Sequence, residues 1–260
     1  DCYEPAGKRI TISGGELLGH TLVLGATGSG KSTTVIYPVL KQLVELQGPN
    51  PVALVIMDLK CDPDLVTAIE SSEEFDSSRL KILSVNSDNW IDPFLPLRKR
   101  GLAGMDQVVE RIGIWFLVVL DNAFWHITFL SLIRQVLTVL YLTDPDFTFD
   151  EAVNLLSTQL LSGNAEHIMR EHLVALQEGK DVEGDEKRER LIKELEAIQE
   201  MWFRLDQRTR SNFLAMGAPV INPLRSPTIE KIFTGDPKHR IDLEESIHKG
   251  DIVLLQLNGF

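Results

Sequence analysis

Gly25-Ala26-Thr27-Gly28-Ser29-Gly30-Lys31-Ser32 fits the pattern G-x-x-x-x-G-K-[ST] in full, and nothing else in the chain constrains it so strongly. The pattern is that of a phosphate-binding loop. Glycines let the backbone curl so that several N–H groups point into one anion-sized nest, the lysine brings a mobile cation to the outer phosphates, and the hydroxyl can ligate Mg²⁺. The flanks agree with this. Thr21-Leu22-Val23-Leu24 is predicted to lead in as a buried strand, and a helical stretch from about Lys31 leads out with its positive end toward the phosphates. The residues expected to meet a nucleotide are Thr27, Gly28, Ser29, Gly30, Lys31, Ser32 and Thr33. Lys31 would neutralise the β and γ phosphates, and Ser32 would hold Mg²⁺. The expected cofactors are therefore ATP and Mg²⁺.

The 260 residues suffice for one large domain or two small ones, and 43% hydrophobic with 25% charged residues is ordinary for a globular protein. A formal net charge of −12 argues against a broad basic face wrapped on nucleic acid, although it leaves room for a small basic loop or a ring pore. Cys2 and Cys61 give no disulfide framework, which points to a reducing compartment. There is no secretory signal and no initial methionine, so the chain is expected to be a piece of a longer protein. The apolar run Ile112 to Leu120 is too short to cross a bilayer, and any membrane anchor is expected outside these residues.

The first hundred or so residues alternate strand and helix. The helix after the loop is expected to run to about Gln47, with Pro38 kinking it and Gly48-Pro49-Asn50-Pro51 ending it. Val52 to Met57 is wholly apolar, as in a parallel strand buried on both faces, and it ends at Asp58. Asp62 reads as a helix cap with Pro63 at the first helical position, and Leu80 to Val85 is the next strand. Strands separated by helices imply βαβ units and a parallel sheet, whose ligands bind beyond the carboxyl ends of the strands. Asp58 is thereby expected near the loop.

From Ala103 to Met216 the apolar stretches are helix-length. Thr148-x-x-Glu151 is a capping box, and Lys187 to Leu205 carries Leu191, Leu195, Ile198 and Trp202 at helical spacing beside a solvated charged face. The α/β character returns with a helix capped near Asp242 and a strand Ile252 to Leu257. The fold class is thus α/β: a P-loop NTPase (RecA-like) parallel sheet interrupted by an all-α insertion. Its parts are 1–102, the first portion of the nucleotide-binding domain; 103–216, all-α; and 217–260, the return segment.

A Mg²⁺-dependent NTPase also needs an acidic residue on a neighbouring strand and usually a second to prepare water. Asp58 ends a convincing strand and is the candidate catalytic carboxylate beside Lys31. Asp121, after Leu117-Val118-Val119-Leu120, sits in the helical segment and reads as a look-alike. Neither is followed by Glu.

The loop followed by Val35-Ile36-Tyr37-Pro38, with Asp58-Leu59-Lys60 closing the next strand, resembles the HerA/FtsK superfamily of DNA-pumping ATPases. Within it the likeness is to the coupling proteins of type IV secretion, the conjugative DNA-transfer ATPases. Asp121-Asn122-Ala123-Phe124-Trp125 matches their Asp-Phe-Trp-like signature, and Arg208-Thr209-Arg210-Ser211 and Ile241–Leu257 also look like family segments. Two sites depart from the pattern. Asp58-Leu59-Lys60-Cys61-Asp62 stands where the family usually has Asp-Pro-Lys-Gly-Glu, and Asp92-Pro93 where it has Asn-Pro.

The resemblance implies a ring, usually a hexamer, at the cytoplasmic side of a bacterial inner membrane, moving DNA, nucleoprotein or secreted protein and docking adaptors and effectors on its all-α domain. Membrane contact would come only through segments outside this chain. The resemblance also puts the strand ending in Asp-Glu beyond Phe260, and it makes Arg208 and Arg210 candidates for an arginine acting in trans.

Smaller signals read more simply. Leu97-Arg98-Lys99-Arg100-Gly101 could touch a phosphate backbone but reads first as a solvated loop, since no aromatics interleave to stack bases. His167 and His172 are five apart and share no helical face, and Phe124 and Trp125 read as core. Two other functions fit the loop: a nucleotide-binding interaction module with little hydrolysis, and a small-molecule kinase. The missing Asp-Glu motivates the module. The large helical insertion and the lack of an arginine-rich lid weigh against the kinase.

Overall fold

The computed structural model describes residues 22–26, 28–46, 51–72, 75–117, 123–156, 185–200 and 205–256. These form two compact units, one within 1–52 and 62–78, the other within 53–61 and 79–260.

In the first unit the loop runs into a wide-turn helical segment, Ser32–Ile36, and then into helix α1, Tyr37–Glu45. Pro38 lies in the first turn of α1, where the helical run changes from wide-turn to regular α geometry. Proline has no N–H to give and its ring crowds the carbonyl four residues back, and a π-type turn just before it is one way to relieve both. Helix α2, Pro63–Glu70, is capped by Asp62, whose carboxylate accepts from Asp64 N at 3.1 Å. Two side-chain bonds tie α1 to α2: Tyr37 Oη donates to Asp62 Oδ2 at 2.5 Å, and Ser72 Oγ donates to Glu45 Oε1 at 3.0 Å. The strand expected before the loop does not form. Residues 22–26 are in no strand, and Leu22 and Leu24 are 79% and 81% exposed. An apolar run becomes a strand only when another strand takes its N–H and C=O groups, and residues 22–26 have no such partner among the described residues.

The second unit is mixed α/β and mostly helical. Its sheet holds β1 (Leu54–Asp58), β2 (Leu80–Ser84) and β3 (Ile252–Gln256), all parallel, in the order β1-β3-β2. β3 comes last in sequence yet lies at the centre. Its Ile252, Val253 and Leu254 are at most 1% exposed, as its apolar composition demands. Register is shared across the sheet: Leu54, Ile252 and Leu80 align at one end, and Asp58, Gln256 and Ser84 at the other.

Between β2 and β3 the described residues are helical. α3 is Leu95–Arg100 and α4 is Met105–Leu117, joined by a 3₁₀ turn at Gly101–Gly104. Then come α5 (Ala123–Thr143), α6 (Phe149–Asn154), α7 (Asp185–Ile198), α8 (Gln207–Leu224) and α9 (Pro227–Phe233). α8 runs across residues 216 and 217. The short α10, Leu243–Lys249, leads into β3. α5 packs against α4 and α7, and the core they share includes Val108, Ile133, Leu137, Leu191, Leu195 and Ile198, all at most 2% exposed. Leu191, Leu195 and Ile198 are the apolar stripe of an otherwise charged α7, so burial of that one stripe fixes the helix. Thr148 forms the expected capping box with Glu151 at the start of α6. A second cluster, Leu83, Ile232, Ile241 and Val253, packs the sheet against the end of the helical stretch.

The basic run 98–100 is a correction to the sequence reading. It forms the last turn of α3 and is no solvated loop. Arg98 Nε donates to Asp92 Oδ2 at 2.6 Å, while its two Nη groups donate to Pro145 O at 2.8 Å and Phe147 O at 2.6 Å. Lys99 pairs with Asp242, and Arg100 pairs with Glu244 at 3.4 Å. The three cations therefore join α3 to segments that are distant in sequence. Among the described residues no helix is long and apolar enough to cross a membrane.

Candidate functional site

Gly28 and Gly30 have φ of +80° and +78°, left-handed values that favour glycine. Between them Ser29 donates its N–H to Ala26 O at 3.2 Å, closing the turn. A Cβ at Gly28 would meet nothing within 4 Å, so the backbone there is open to an approaching group. Thr34 N donates to Gly30 O at 2.8 Å and Thr33 Oγ1 to the same oxygen at 3.2 Å, which seats the first helical turn directly on the loop. N–H groups in the first turn of a helix have no acceptor within it, and the helix dipole makes that end positive. Lys31 folds back over the loop: its Nζ donates to Gly25 O at 2.7 Å and Ala26 O at 2.6 Å. Curled backbone, helix start and inward lysine together fit the phosphates of a nucleotide. Ser32, half-buried, opens the helical segment. Thr27 lies outside the described residues.

Asp58 lies in the second unit, at the carboxyl end of β1. Its Oδ1 accepts from Lys60 N at 3.0 Å and its Oδ2 from Gln256 Nε2 at 3.3 Å. Lys60 itself is exposed. The turn after Asp58 puts Cys61 at φ of +51°, the left-handed region, at the position where the resembled pattern carries glycine. Asp62 caps α2 and receives the Tyr37 hydroxyl, so its carboxylate is committed to structure.

Gln256 was not singled out from sequence. The signal was there, since it is the one polar residue in the strand run Ile252 to Leu257 and stands at its carboxyl end. Arg208 is exposed on α8, and Arg210 Nε donates to Leu205 O at 2.9 Å, near the Asp206 cap of that helix. The Asp206 carboxyl is held below the usual range by the Thr209 hydroxyl and N–H. Asp121, Asn122, His167 and His172 lie outside the described residues, as do the side chains of Phe124 and Trp125. Among the described residues no group of three or more His, Cys, Asp or Glu could hold a metal. Mg²⁺ at a phosphate loop keeps several waters and needs few protein ligands.

No family model, no curated protein and no solved structure matches the chain.

Proposed function

We propose that residues 25–33 bind the phosphates of ATP with Mg²⁺, and that the chain belongs to an ATP-hydrolysing motor of the kind it resembles, a type IV secretion coupling protein. One observation carries the nucleotide reading. One left-handed glycine lies inside a closed turn and a second follows it at the start of a helix, and the lysine of the motif points its ammonium back over that turn. Lys31 would neutralise the β and γ phosphates and Ser32 would bind Mg²⁺, with Thr27 joining on sequence grounds. Asp58, at the carboxyl end of a strand in a parallel sheet, supports the assignment to a P-loop NTPase fold. The motor, the ring, the DNA or protein cargo, the adaptors and the inner-membrane setting rest on the resemblance alone.

The test is ATP turnover across a protein concentration series, with and without single-stranded DNA, with Lys31→Ala as the blank. A ring motor gives DNA-stimulated turnover that climbs faster than concentration. Turnover linear in concentration and indifferent to DNA counts against it.

A second reading is a nucleotide-binding interaction module with little hydrolysis. It is favoured by the strand ends: of the three described strands only β1 closes on a carboxylate, and Leu59 follows it where a water-activating Glu would stand. Steady hydrolysis abolished by Lys31→Ala removes this reading.

A further inference from the structure

We propose that the cleft between α3, α4 and the start of α10 binds a small organic monocarboxylate, its carboxylate on Arg111 and Gln107 and its hydrocarbon on the apolar floor. Every residue involved belongs to the second unit, so the site stands independently of the nucleotide reading.

The cleft has a volume of about 410 Å³, within the range of small-molecule sites. Its floor is made by Leu95, Pro96 and Ile241, all buried, which suits a ligand with a hydrocarbon body. The walls are held in place by the chain itself. A Cβ at Gly104 would lie 2.0 Å from the carbonyl oxygen of Pro96, so glycine there lets the turn before α4 close on α3. Lys99 pairs with Asp242 and ties α3 to the start of α10.

The charges choose the ligand. Asp92 reaches the cleft but is taken up by Arg98 at 2.6 Å. Lys99, Arg100 and Arg111 then outnumber Asp242 and Glu244, on a chain whose formal net charge is −12. Arg111 and Gln107 stand one turn apart on α4, and both are exposed. Neither has a hydrogen bond or ion pair among the described residues. A guanidinium fork with an amide donor beside it matches the two oxygens of a planar carboxylate. Arg100 can add to it, because its pair with Glu244, at 3.4 Å, is exposed on both sides and such pairs hold weakly. A single negative charge balances the surplus. A dianion such as phosphate would bring a second charge against Asp242 and Glu244.

The experiment is an NMR titration of the backbone amides with hexanoate, with neutral hexanamide and with inorganic phosphate, in the wild type, Arg111→Met, Gln107→Met and Glu244→Gln. All three positions are exposed, and the dispersion of the amide spectrum checks that each variant folds. Hexanoate is expected to shift the amides of Lys99 and Leu243 saturably, and hexanamide to bind at least about tenfold more weakly. Arg111→Met is expected to weaken hexanoate at least about tenfold and Gln107→Met about fivefold. Glu244→Gln is expected to tighten it, because a like charge leaves the cleft. No saturable shift with hexanoate, hexanamide or phosphate binding as tightly as hexanoate, or full affinity in Arg111→Met each overturn the proposal.

Discussion

The ammonium of Lys31 donates to the carbonyl oxygen of Gly25 at 2.7 Å, so the cation of the motif is held over its own loop by the backbone it would share with a phosphate. That arrangement depends on the loop's curl, and the curl depends on two glycines. Gly30 has φ of +78°, where an L side chain costs about 1–2 kcal/mol. Gly30→Ala is therefore expected to weaken ATP binding about 5- to 30-fold. Isothermal titration measures it, and unchanged affinity would mean that the loop's curl does not set binding.

Cys61 occupies the same left-handed region without being glycine, at φ of +51°. Cys61→Gly relieves the steric cost but adds freedom to the unfolded chain, so stability is expected to hold or rise by up to about 1 kcal/mol. Cys61→Val puts a branched Cβ in that conformation and is expected to lose at least about 1 kcal/mol. Urea denaturation ranks the three. A valine variant as stable as the wild type would show that the turn after Asp58 is not left-handed.

Arg98 spans three acceptors, one of them the carboxylate of Asp92, which is only 3% exposed. Removing the guanidinium leaves the buried Asp92 carboxylate with only Arg240 at 4.0 Å and the N–H of Phe94, and takes a donor from two carbonyls. Arg98→Ala is expected to cost about 3 kcal/mol. Arg98→Lys is expected to recover little of it, because one ammonium cannot reach three acceptors in the geometry of a planar fork. Denaturant midpoints decide the matter, and a loss in Arg98→Ala below about 1 kcal/mol would mean that the clamp is ornamental.

Asp242 joins the same region to α10. Burial alone pushes its carboxyl up, but the hydrogen bond from Lys99, the N–H groups of Glu245 and Glu244 and the Lys99 charge outweigh that and hold it below the usual value. A carboxyl held lower in the folded than in the unfolded chain lends stability that is full above its unfolded value, about 3.9, and drains away as pH falls through the folded value. The stability gap between wild type and Lys99→Met is accordingly expected to be constant from about pH 7 to 5 and to shrink below about pH 4. A gap that widens in acid would contradict the sign.

Much of the fold could be read from local chemistry. All three strands lie within one or two residues of their apolar runs, but the expectation that β1 is buried on both faces fails: Val55 and Met57 are 50% and 67% exposed, and only β3 has the buried run Ile252 to Leu254 that such a strand demands. The caps at Asp62, Thr148 and Asp242 are where short polar side chains precede helical periodicity. What failed depended on partners far away in sequence. Leu22 to Leu24 has the composition of a strand and, among the described residues, no strand beside it. Arg98, Lys99 and Arg100 look like a loose basic patch until Phe147, Asp242 and Glu244 are folded against them. At the site the motif marked the loop and its lysine directly. Gln256 was hidden because its meaning lies in a register partner some two hundred positions earlier, at Asp58.

The most direct test is a titration of Mg²⁺-ATP into the wild-type chain and into Lys31→Ala. The account predicts saturable binding at one site per chain for the wild type and at least about tenfold weaker binding for the variant, a loss of about 1.4 kcal/mol or more. No binding by the wild type, or equal affinity in both, would contradict it.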